Sequence, residues 1–112
     1  MRSDRERLLD VLHAIENIEK YSVQGYDAYV SEELVQVWIV HHIQLIGEAT
    51  ASLSRELRES SPDIPWQDII AMRNVLVHQY FGIDLREVWD TVTTDLPTLK
   101  NQVLSILDGL DE

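Results

Sequence analysis

Between Leu34 and Ile46 the apolar residues of this 112-residue chain recur at helical spacing and occupy two sides of the helix they imply. Leu34, Val37, Trp38 and Leu45 fall on one side, and Val35, Ile39, Ile43 and Ile46 on another. A helix that is apolar on two sides is buried on two sides. A chain this short forms one domain with few helices, so the pattern predicts a helical bundle with a second subunit against it. The run is broken by Gln36, His41, His42 and Gln44, and it is too short to cross a bilayer. Adjacent helical residues point about 100° apart, so His41 and His42 do not converge on one ion, and no metal site is expected.

The rest of the chain reads as helices cut by turn residues. Ser3 to about Lys20 carries Leu8, Leu12 and Ile15 at helical spacing, with Val11 and Ile18 widening the stripe and Ser3 or Asp4 as cap. Residues 21–30 read as a connection around Gly25, with one short helical turn at 27–30. Ser31 is expected to cap a long second helix that runs to about Glu59, and Ser60-Ser61-Pro62-Asp63 breaks it. Pro65 suits the first turn of a third helix, which ends just before Gly82. Asp84 opens a fourth, and Pro97 must kink or restart it, with Thr94 or Asp95 as cap. Leu99, Val103, Ile106 and Leu107 carry an apolar stripe onward from there, and residues 108–112 fray. The fold class expected is all-α: an up-and-down four-helix bundle over residues 1–112, a single domain, with room for a fifth segment after Pro97.

Charge bears on function. Twenty acidic and nine basic residues give a formal charge of −11, and three of the nine lie within the first seven positions. Nucleic-acid binders draw most of their affinity from phosphate neutralisation by basic residues. A long basic groove is therefore excluded, and any RNA must be met at a small site. The acidity also suits a basic protein surface as partner. Cysteine is absent, which removes disulfides and thiolate metal sites and agrees with a cytoplasmic location.

The third helix carries the chemistry-bearing side chains. Arg73 and Tyr80 are seven residues apart and so about 20° apart around the axis, while Asn74 and His78 form an i,i+4 pair on a neighbouring face. A guanidinium offers planar donors to phosphate, and an imidazole moves protons near neutral pH. An arginine inside the apolar stripe of Trp66, Ile69, Ile70 and Val77 needs an acid or an open cleft. Glu48, on the second helix, is the candidate acid. Spacing alone leaves the plainer alternative of a surface arginine and a helix-end histidine.

The wider text is more specific. Arg73-x-x-x-x-His78-x-Tyr80, preceded by Ile64-Pro65-Trp66 and followed by Ile83-Asp84, resembles the HEPN domain in its HepT-like branch. Ile46-Gly47-Glu48-Ala49 upstream, and Val88-Trp89 with Leu96-Pro97 downstream, extend the resemblance over roughly residues 5–107. The resemblance implies an all-helical homodimer that acts as the toxin of a type VII toxin–antitoxin pair. It implies a metal-independent endoribonuclease without cofactor, in which Arg73 and His78 are catalytic and Asn74 supports them. It further implies that a minimal nucleotidyltransferase antitoxin adds AMP to Tyr80. The alternative expectation is a non-catalytic acidic module that binds a nucleotidyltransferase or a nucleotide through the same helix.

Overall fold

The computed structural model describes residues 2–78, 82 and 84–111, with the side chains of 2–74, 82 and 84–110. Among them there is no strand. The helices are α1 (Asp4–Ser22), α2 (Tyr26–Ser31), α3 (Glu33–Ala51), α4 (Arg55–Ser60), α5 (Trp66–His78), α6 (Leu85–Asp90) and α7 (Leu96–Asp111), with a π-helical turn at Thr91–Asp95 joining the last two. The π turn makes α6 and α7 one rod, so α1, α3, α5 and this rod are the four members of the bundle. The short helices α2 and α4 belong to the links.

Local chemistry explains most of the boundaries. Ser3 caps α1 through a full capping box: its hydroxyl accepts from the Glu6 amide, and the Glu6 carboxylate accepts from the Ser3 amide. Asp84 caps α6 by accepting from the amides of Arg86 and Glu87. Gly25 precedes α2 with φ at 96°, a conformation costly to any residue with a Cβ.

Three expectations need correction. The helix expected from Ser31 to Glu59 is two helices. It starts at Glu33, because Ser31 is the last residue of α2, and it stops at Ala51. The break at residues 52–54 is held from α1: Asp4 accepts hydrogen bonds from the Ser54 amide at 2.8 Å and the Ser54 hydroxyl at 2.5 Å, and the Arg7 guanidinium donates to the Ser52 carbonyl. Neither Thr94 nor Asp95 caps α7. The chain passes through the π turn with Leu96 in helical conformation, its amide donating to the Thr91 carbonyl. A wide turn lets Pro97 enter a continuing rod although it brings no amide. Residues 108–111 are helical rather than frayed.

The core is drawn from all four rods. Leu8, Val11, Ile15 and Ile18 of α1 meet Val35, Ile39, Ile43 and Ile46 of α3, with Val88, Val92, Leu99 and Val103 from the rod. Tyr29 of α2 is fully buried, stacked on Trp89 with ring centroids 5.0 Å apart, and its hydroxyl donates to the Leu85 carbonyl at 2.8 Å. Trp66 pins the start of α5, its indole N–H shared between the carbonyls of Arg58 and Ser61.

The two faces of α3 fare differently. The side with Val35, Ile39, Ile43 and Ile46 is buried within the chain. On the other side Leu34 is 84% exposed, Val37 47% and Leu45 38%. Tyr21, Val23 and Val30 add further exposed apolar surface on α1, its end and α2. Among the described residues no helix is long and apolar enough to cross a membrane.

Candidate functional site

The site is built where α5 crosses α3. Gly47 of α3 is buried, and it lets the two helices approach closely at Arg73. Arg73 leaves α5 over that glycine and carries its guanidinium to the seam, where the side chain is 36% exposed. Two oxygens hold the head. Glu48 Oε1 stands 3.6 Å from Nη2, and Asn74 Oδ1 accepts from Nη1 at 3.1 Å. The Nε atom is buried, with no hydrogen-bond partner among the described residues.

This arrangement answers the problem posed by an arginine in an apolar stripe. The stem packs where burial is favourable, while the charged head meets a carboxylate and water. An exposed pair of this kind adds little stability. Its effect is directional, because the planar fork presents donors along set directions and two oxygens fix its plane. Asn74 turns toward Arg73, its neighbour in sequence, rather than standing apart from it.

The histidine side of the site is less complete. His78 belongs to α5 (Trp66–His78), so it shares a helix with Arg73. Its side chain, and Tyr80 with the expected helix end before Gly82, lie outside the described residues. The site residues brought together among those described are therefore Arg73, Asn74 and Glu48.

Of the paired histidines of α3, one is accounted for by packing. His42 is buried, its ring 4.3 Å from that of Trp38, and its Nδ1–H donates to the Trp38 carbonyl at 2.7 Å. His41 is exposed, with its ring nearly perpendicular to that of His42. Among the described residues no three histidine, aspartate or glutamate side chains gather as a metal ion would require.

Comparison with known proteins places the chain. The HepT-like ribonuclease family ("Ribonuclease HepT-like") matches residues 11–106. The chain belongs to this family, and its fold is that of an all-helical HEPN-type bundle. It is 33% identical over 102 residues to a Thermococcus cleftensis protein named "Probable ribonuclease HepT", covering 90% of this chain and 93% of that one. It is 33% identical over 108 residues to a Caldanaerobacter subterraneus protein provisionally named an RNase, covering 96% of each. A longer Methanocaldococcus jannaschii protein, named as a gamma-glutamylcyclotransferase joined to a provisional RNase, is 37% identical over 114 residues. This chain spans 51% of that protein's length. No solved structure matches the chain.

Proposed function

We propose that this chain is a metal-independent endoribonuclease, the toxin of a type VII toxin–antitoxin pair, silenced when a partner nucleotidyltransferase adds AMP to Tyr80. The observation that carries this reading is the Arg73 guanidinium. It is held half-exposed at the α3–α5 seam by Glu48 and Asn74, five residues ahead of His78 on one helix. The chemistry needs only these groups and the RNA. His78 takes the proton of the ribose 2′-hydroxyl, whose oxygen attacks the adjacent phosphorus. Arg73 neutralises the charge that builds on the phosphoryl oxygens. The bond to the 5′ oxygen breaks, and the imidazolium returns its proton to the departing oxygen. The products are a 2′,3′-cyclic phosphate and a free 5′-hydroxyl.

Further features support parts of this reading. The chain's charge of −11 suits brief contact with RNA rather than a long groove. An AMP group near Arg73 and His78 would put negative charge and bulk where the RNA phosphate must enter, which explains silencing without a change of fold. The exposed Leu34, Val37 and Leu45 of α3 suit a homodimer, and absent cysteine suits the cytoplasm.

The acidity also favours a second reading, in which the chain is a non-catalytic partner of a nucleotidyltransferase and Tyr80 is only its substrate. One experiment separates the two. RNA is incubated with the wild type and with His78→Ala, each before and after treatment with the nucleotidyltransferase and ATP, and intact mass is recorded in parallel. The ribonuclease reading expects cleavage by the untreated wild type alone. AMP-sized mass gains at Tyr80 with no cleavage by any form would establish the second reading. Cutting by His78→Ala at the wild-type rate would refute the assigned chemistry.

A further inference from the structure

Gly47 is the one glycine of α3, and α3 crosses α5 directly over it. A Cβ built there would lie 2.1 Å from the Arg73 Cβ, 2.7 Å from its Cγ and 3.4 Å from its Cα. These are not the far end of a flexible side chain. The Arg73 Cβ is fixed to the α5 backbone, so no rotamer relieves the overlap. Reaching ordinary contact requires the two helices to part by roughly 1.5 Å. The other glycines of the chain, Gly25, Gly82 and Gly109, have nothing within 4 Å of the equivalent position.

We propose that Gly47 is a positioning residue for Arg73. Its missing side chain is the seat on which the arginine stem rests, and this sets where the guanidinium stands. Glu48, the next residue on α3, then fastens the head at Nη2. Two consecutive residues thus divide the task, one fixing the stem and the other the charged end. The catalytic consequence rests on the ribonuclease reading, whereas the seat itself does not.

The test is Gly47→Ala, made in the wild type and in Arg73→Gly, with Gly109→Ala as a helical control in open space. Thermal unfolding of the intact chain reads the seat. Alanine exceeds glycine in helix propensity, so Gly47→Ala should raise the melting temperature once Arg73 has lost its Cβ. In the presence of Arg73 it should lower it, or prevent folding. Steady-state RNA cleavage reads the consequence. A misplacement of about 1 Å should lower kcat roughly 100-fold, with KM changed less than about twofold, while Gly109→Ala cleaves as the wild type does. A loss of melting temperature equal in both backgrounds would overturn the proposal, as would full kcat in Gly47→Ala. If the wild type cuts no RNA, the ribonuclease reading fails, and the melting comparison still decides whether Gly47 seats Arg73.

Discussion

Tyr29→Phe should weaken the fold at neutral pH and strengthen it at high pH, relative to the wild type. Tyr29 is fully buried in α2, and its hydroxyl donates to the carbonyl of Leu85, the first residue of α6. The bond therefore ties down the chain just beyond the segment that carries the motif. Removing the hydroxyl leaves that carbonyl without its donor, at a cost of about 1 kcal/mol. In a domain of this size that lowers the melting temperature by roughly 4 °C. The alkaline effect comes from the same group. Burial first, then the neighbouring Tyr26 and Asp84, push the phenol from its ordinary 10.0 up to about 12. A phenol of raised pKa contributes stability that is complete below pH 10 and is lost as pH rises through about 12. The full loss is about 3 kcal/mol, a little over 1 kcal/mol per decade of shift. Phenylalanine has no proton to lose, so the two stability curves should cross at about pH 11, where the wild type has given up about 1 kcal/mol. Urea unfolding followed by far-ultraviolet circular dichroism between pH 8 and pH 11.5 measures both branches. Titrations that do not touch Tyr29 are common to both proteins and cancel, and the coupling to Tyr26 is part of the difference being read. A difference between wild type and variant that stays constant across that range would refute the reasoning.

Asp4 should matter on the acid side. Its carboxylate accepts two hydrogen bonds from Ser54, and these chiefly hold its pKa below the ordinary carboxylate value, so its stabilising effect is present above that value and lost as pH falls through the lowered one. Asp4→Asn should therefore show a shallower loss of stability below pH 4 in acid titration, and an unchanged acid limb would count against that role. Arg73→Lys keeps the charge but not the two-sided hold by Glu48 and Asn74, so kcat should drop by roughly 100-fold with the melting temperature nearly unchanged. Cleavage kinetics at wild-type rates in that variant would remove Arg73 from the chemistry.

Much of the frame could be read from the chain because its causes are local. Ser3 with Glu6, Asp84 ahead of α6, and the apolar spacing of α1 and α3 each act within a turn or two of themselves. The break at residues 52–54 could not be read, because no proline or glycine marks it. Its partners are Asp4 and Arg7, some fifty positions earlier, and they meet it only once α1 lies along α3. The site divides in the same way. Arg73 stood out as a charge inside an apolar stripe, whereas Gly47 was visible only as one letter of the segment that carries the family resemblance. That the two explain each other became visible only when α3 and α5 were laid across one another. The exposed face of α3 follows a third logic: its apolar residues were legible, and nothing among the described residues covers them.

The π turn at Thr91–Asp95 bears on how this chain tolerates changes in length. A π turn holds one residue more than a regular helical turn. Dropping a residue from 91–95 would return the rod to ordinary pitch and leave Val88 and Val103 on the sides they now occupy. The same deletion within α1 or α3 would swing every later contact about 100° around the axis. In a rod of ordinary pitch, however, the ring of Pro97 would strike a carbonyl one turn back. Homologous chains one residue shorter here should therefore have replaced that proline, so the two changes should be found together.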